Sequence, residues 1–158
     1  MKIAVVDYEN HNHTDLKSEL IINFSEVLGI DKLEIEIFGN KLIERPYIYG
    51  KLKEYGPDIL ISYNLAGFEL CTLTDSVSYN LLDCKQIHWI EKKDCENEKY
   101  LNKVLSIAMF FATESASVYE YISETYDTIP ALYNYSEHKG DNVIAKAVVD
   151  IIRENKIL

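Results

Sequence analysis

Apolar and polar positions alternate along the chain in blocks, and the blocks predict the elements. Ile3 to Val6 is an unbroken apolar run, three of its residues β-branched. It stops at Asp7, and polar residues follow to Asp15. A strand buried on both faces reads this way where it leaves the sheet. Leu16, Leu20, Phe24, Val27 and Leu28 then recur at helical spacing. Thr14 is placed as an N-cap, Asp15 in the first turn and Gly29 just past the end, so the spacing predicts a helix over 15–28. Leu33 to Phe38 alternates, which predicts a strand near a sheet edge. Gly39-Asn40 turns the chain. Pro46 is placed to open a short helix through Ile48, Leu52 and Tyr55, ending at Gly56-Pro57.

Asp58 to Tyr63 is a second nearly all-apolar run and the third predicted strand. A short helix is expected over 74–82 and a fourth strand over 86–90. Glu91 to Lys103 is dominated by charge and predicts a solvated loop or frayed helix. Ser106 to Ala112 is the fifth strand. Thr113-Glu-Ser115 then opens a helix carrying Val118, Tyr121, Ile122 and Thr125. The stretch from Asp127 to Lys139 lacks any period and reads as irregular. Asp141 is placed to cap a last helix, lined by Val143, Ala147 and Ile151 beside Ile144, Val148 and Ile152.

Strands that alternate with helices and are themselves mostly apolar imply an α/β fold: one doubly wound, mostly parallel five-stranded sheet with helices on both faces, Rossmann-like or flavodoxin-like. With 158 residues the expectation is a single domain over 1–158. In such a sheet, ligands bind past the carboxyl ends of the strands.

Composition narrows the function classes. A net charge of −10 argues against nucleic acid or an anionic membrane as partner, since phosphates demand Lys and Arg. No apolar stretch reaches the length of a membrane span. A cytoplasmic location is expected. The three cysteines (Cys71, Cys84, Cys95) have no C-x-x-C spacing and point to neither a disulfide framework nor a zinc site. The twelve tyrosines can pack as core or line a wet pocket or interface.

Candidate chemistry collects at the strand ends. Strand one supplies Asp7, Glu9, Asn10, His11 and His13; strand three supplies Asn64, followed by Gly67, which allows close backbone approach or a tight turn. Strand four supplies Glu91, and strand five Thr113, Glu114 and Ser115. Two imidazoles beside two carboxylates could ligate a metal or exchange protons near neutral pH. Their i, i+2 spacing marks no third ligand, so no metal and no cofactor is expected. Thr113 and Ser115 at a helix start could meet an anion, but hydroxyls there more often cap the helix. His88, between Ile87 and Trp89, reads as a hydrogen-bonded core residue. Dinucleotide G-x-G-x-x-G, P-loop and nucleophile-elbow motifs are absent.

Two stretches carry resemblances. Lys2-Ile-Ala-Val-Val-Asp7-Tyr-Glu9 and Pro57-Asp-Ile-Leu-Ile-Ser-Tyr63-Asn-Leu-Ala-Gly-Phe-Glu-Leu70 resemble a response-regulator receiver domain. That family needs an acidic pair, a phosphoacceptor Asp and a Lys after strand five. Here Tyr8 stands in the pair, Tyr63 stands at the phosphoacceptor position, and Thr113-Glu114 follows strand five without a Lys. The resemblance implies a receiver that cannot run a phosphorelay. Asp58-Ile-Leu-Ile-Ser-Tyr-Asn64 with Lys85-Gln-Ile-His-Trp-Ile90 is similar to the N-terminal Rossmann-like half of GT-B glycosyltransferases of the spore-maturation type, over roughly residues 1 to 125. There the N-terminal half mainly binds acceptor and the C-terminal half the nucleotide-sugar.

The expected function is binding of a small polar molecule, a nucleotide or sugar derivative, by Asp7, Glu9, Asn10, His11, His13, Asn64, Gly67, Thr113 and Ser115, without complete catalytic machinery. The alternatives are an interaction or signalling module, with a homo-oligomer as one form, and a small enzyme using Asp7, His11 or His13.

Overall fold

A computed structural model describes residues 1–9, 11, 13–63, 82–96, 98–105, 110–126, 132–138 and 143–157. In chain order these form β1 (Lys2–Val6), α1 (His13–Leu28), β2 (Glu34–Phe38), a 3₁₀ turn (Leu42–Tyr47), α2 (Ile48–Tyr55), β3 (Ile59–Tyr63) and β4 (Lys85–Trp89). A second 3₁₀ turn (Lys92–Glu96), α3 (Glu98–Leu105), β5 (Phe110–Thr113), α4 (Ala116–Thr125), β6 (Leu132–Asn134) and α5 (Val143–Glu154) follow.

Among the described residues the strands form one sheet in the order β2-β1-β3-β4-β5-β6, and every pairing is parallel. The expected sheet of five strands is therefore a sheet of six. The addition is β6, inside the stretch expected to be irregular. Its three residues pair in register with Phe111, Ala112 and Thr113. Tyr135 N–H donates to Thr113 O at 2.8 Å, Tyr135 Oη to Asp150 Oδ2 at 3.3 Å, and Asn155 Nδ2 to Tyr133 Oη at 2.7 Å. The strand is held by its neighbours and not by a local pattern.

Alternate residues of each strand feed two cores. Ile3, Val5, Ile59, Ile61, Ile87 and Trp89 pack with Leu16, Leu20 and Phe24 of α1 and with Ala147, Val148, Ile151 and Ile152 of α5. Ala4, Val6, Leu60 and Phe111 pack on the other face with Ile48 and Leu52 of α2, Leu101 and Leu105 of α3, and Val118 and Ile122 of α4. β3 is buried at all five positions. β2, at the edge, exposes Glu34 and Glu36 and half-buries Ile35 and Ile37. No helix among the described residues is long and apolar enough to cross a membrane.

Several boundaries move for physical reasons. α1 begins at His13, so Thr14 lies within the helix and is not its cap. It ends as expected: Gly29 has φ +68°, its N–H bonds Ser25 O and the Ile30 N–H bonds Phe24 O, so a left-handed glycine closes the helix. Pro46 sits inside the first 3₁₀ turn and does not open α2. The polar stretch after β4, expected as a solvated loop or frayed helix, holds a 3₁₀ turn and α3 among the described residues, because Leu101 and Leu105 give α3 an apolar stripe that the surrounding charges conceal. Of the helix expected over 74–82 only Leu82 is described, and it lies in no helix; the part of strand five over 106–109 and the cap at Asp141 lie outside the described residues.

Candidate functional site

The chain lays down β2 on one side of β1 and β3 on the other. Successive connections therefore leave in opposite directions from the carboxyl ends of β1 and β3, and a crevice opens there. Asp7 is the first residue past β1 and is fully buried. A buried carboxylate needs donors, and the next few residues bring them. The Glu9 N–H donates to Asp7 Oδ1 at 2.8 Å. His11 Nδ1 lies 2.7 Å from Asp7 Oδ2, and His13 Nε2, in the first turn of α1, lies 2.9 Å from the same oxygen. The His13 contact is at ion-pair distance but poorly aligned for a hydrogen bond, and its Nδ1 has no hydrogen-bond partner among the described residues. Burial lowers the His13 imidazole below its ordinary value; Asp7 works against this and His11 with it.

Tyr63, the last residue of β3, forms the floor. His11 stacks on it with ring centroids 4.6 Å apart, and His13 meets it edge-on at 6.1 Å. Burial, then the charges of Asp7, Glu91 and Glu114, push the phenol well above its usual range, so it stays neutral. Glu91, past the end of β4, brings Oε1 to 3.7 Å from His11 Nε2, and Glu9 Oε2 stands 4.0 Å from the same nitrogen. Lys93 Nζ pairs with Glu9 Oε1. Burial pulls the Lys93 ammonium down, but Glu9, Glu91 and Asp94 outweigh it and hold the group above its ordinary value.

The loop after β1 is fastened from the side. Arg45 Nη2 donates to Tyr8 O at 2.8 Å and Arg45 Nε to Gly39 O at 3.1 Å, while the guanidinium lies 4.3 Å from the Tyr8 ring centroid. Gly39 has φ +88°, and a Cβ there would stand 2.6 Å from Tyr8 Cε1. The glycine lets the Tyr8 ring pack against the turn after β2.

Of the expected residues, Asp7, Glu9, His11 and His13 come together. Thr113 and Ser115 do not join them: β5 is three strands from β1, roughly 14 Å at ordinary strand spacing. Their hydroxyls serve the chain itself. Ser115 N–H donates to Thr113 Oγ1 at 3.1 Å, and Ser115 Oγ caps α4 by accepting from Val118 N–H at 3.3 Å. Ser115→Ala should cost about 1 kcal/mol of stability, read as a lower urea midpoint with an unchanged slope; an unchanged midpoint would show that the cap contributes nothing. Asn10, Asn64 and Gly67 lie outside the described residues.

Tyr63, Lys93 and Arg45 were not singled out as ligand contacts. Tyr63 carried a signal, its place at the end of an apolar strand; Arg45, in a turn after β2, carried none. His88 is a fully buried core residue, with Nε2 3.3 Å from Gln86 Oε1. Cys84 and Cys95 are free thiols, and burial pushes Cys84 up to about 11, so it is unreactive at neutral pH.

The cluster can do two things chemically. Asp7 holds the His11 ring through Nδ1; in the neutral tautomer that donates there, Nε2 is the atom that can take a proton or bind an electrophile. Around it stand carboxylates, with Lys93 as the neutralising cation of Glu9. Donor-rich or cationic groups suit this crevice better than a bare phosphate. No protein-family model, curated protein or solved structure matches the chain.

Proposed function

We propose that the chain is a flavodoxin-like, doubly wound domain that binds a small polar molecule, a nucleotide or sugar derivative, at the carboxyl ends of β1, β3 and β4. The observation that carries this is the convergence of Asp7, His11 and His13 on Tyr63 at the point where the strand order reverses. A fully buried carboxylate with two imidazoles within 3 Å of it costs desolvation, and its bond to His11 holds that ring in one orientation. A rigid polar wall with an aromatic floor suits sugar hydroxyls and ring faces. The acidic surround makes the sugar part of such a ligand the better match.

Titration calorimetry against a panel of sugars, nucleosides and nucleotide-sugars tests the reading. Saturable heats are expected for at least one member, with His11→Ala weakening that binding about tenfold or more. Flat heats across the panel would sink it. A second reading, a small enzyme using Asp7, His11 and His13, is favoured by the Asp7–His11 contact, which orients an imidazole as a general base is oriented. It requires turnover of whichever panel member binds.

A further inference from the structure

A second hollow lies between the turn after β4 and the start of α4. The segment 91–96 divides its side chains between two spaces. Glu91 and Lys93 belong to the crevice, at His11 and Glu9. Lys92 and Cys95 do not. Residues three apart in a 3₁₀ turn stand over one another, and these two line a cavity of about 260 Å³ with Glu96 and with Ser117, Val118 and Tyr121 of α4. Val118 is fully buried in the core beneath α4, and the half-buried Cys95 and Tyr121 pack against the same core. The hollow therefore reaches the edge of the core.

Both walls are fixed by the chain itself. The buried Asp94 accepts from the Glu91 N–H at 2.8 Å, and the Asp94 N–H donates to Glu91 O at 3.0 Å, which closes the turn. Ser115 caps α4 through the Val118 N–H. A preformed hollow spares a ligand the cost of ordering its walls.

Size and lining select the occupant. An apolar cavity of about 150 Å³ holds one benzene, and sites for drug-sized ligands begin at about 300 Å³. A volume of about 260 Å³ suits one ring or a fused pair. The walls carry a sulfur and a phenol ring, and each attracts another aromatic ring. Burial, then Asp94 and Glu96, hold the Cys95 thiol above its ordinary value, so the sulfur is uncharged at neutral pH. The stem of Lys92 adds apolar surface, and its ammonium favours a π face. At the mouth Lys92 and Glu96, both exposed, oppose each other in sign. A phosphate would gain from one and lose to the other, and so would an ammonium. An uncharged ligand loses nothing there.

We propose that the hollow between Lys92–Glu96 and α4 binds an uncharged planar aromatic molecule of one ring or two fused rings. Val118 meets its inner edge, Tyr121 and Cys95 flank it, and the Ser117 hydroxyl can bond a polar substituent at the mouth. This site is distinct from the crevice at Asp7 and stands whether or not that crevice binds a sugar or nucleotide derivative.

The test titrates the full chain with indole, phenol and cyclohexanol, followed by ¹H–¹⁵N correlation spectra. Indole and phenol should give saturable shifts in the millimolar range, centred on the amides of Cys95, Ser117, Val118 and Tyr121. Cyclohexanol, which matches phenol in size without its π system, should bind about fivefold more weakly. Ser117→Phe, at an exposed position, should fill the hollow and abolish the shifts. Tyr121→Ala should weaken indole about fivefold. Tyr47→Ala removes a tyrosine that is 66% exposed on the other 3₁₀ turn; it should bind as wild type, which controls for general adhesion of an apolar ring. Any one of three results overturns the proposal: no saturable shift at tens of millimolar indole, cyclohexanol binding as tightly as phenol, or wild-type affinity in the folded Ser117→Phe and Tyr121→Ala proteins. Shifts centred on Tyr63 instead would place the ring in the crevice and overturn it as well.

Discussion

Lowering the pH from 7 to 4 should cost the protein about 3 kcal/mol of stability through His88 alone. The side chain is fully buried in β4 beside Phe111, and burial pulls its pKa down from 6.5 to about 4. Between those values the unfolded chain carries a proton that the folded chain lacks. Stability is therefore complete above about 6.5 and falls as the pH drops toward 4. Wild-type and His88→Leu proteins, compared by urea unfolding at pH 7 and pH 4.5, should differ in slope: the variant loses less stability over the interval. Many carboxylates also titrate there, and the difference between the two proteins cancels them. Parallel pH profiles would show that His88 is protonated inside the fold or is not buried in solution.

Gly39→Ala should destabilise the protein by about 3 kcal/mol and disturb the site with it. Two costs add. The backbone at φ +88° strains any residue with a Cβ, and the new atom would sit 2.6 Å and 2.7 Å from the Tyr8 ring and 3.0 Å from Ile48 Cδ1. The ring cannot swing away freely because Arg45 covers it and holds Tyr8 O. Gly29→Ala is the matched control. Its φ is also positive, at +68°, but nothing lies within 4 Å of its Cβ, so it should cost only about 1 kcal/mol. Equal urea midpoints in the two variants would show that Tyr8 yields without cost. Binding of the panel ligand should weaken in Gly39→Ala and not in Gly29→Ala, since only the first moves the chain that carries Asp7 and His11.

Much of this was legible in the sequence, and what was missed has physical causes. Ile3 to Val6 and Ile59 to Tyr63 announce buried parallel strands, because only strands covered on both faces are apolar at every position. Asp7, His11 and His13 were legible for the same reason: they begin where the apolar run stops. β6 was not, because a three-residue strand held by Thr113, Asp150 and Asn155 has no period of its own. α3 was legible only as a frayed helix or a loop, since a helix needs only a narrow apolar stripe and Leu101 and Leu105 supply it among lysines and glutamates. Thr113 and Ser115 look alike as cap and as anion site in sequence; the distance across the sheet and the Val118 N–H decide for the cap. The Tyr8–Arg45 contact spans 37 residues, beyond any local pattern.

The acids of β2 bear on how the molecule behaves among its own copies. A parallel sheet has two open rims, each with unspent N–H and C=O groups that could recruit a foreign strand and seed a fibril. On the β2 rim, Glu34 and Glu36 alternate in the open. A second copy laid alongside in register would set carboxylate against carboxylate at each repeat, and like charges directly opposite oppose pairing. β6 closes the other rim with only three residues, too short a template for lasting adhesion. The protein should thus stay dispersed at high concentration.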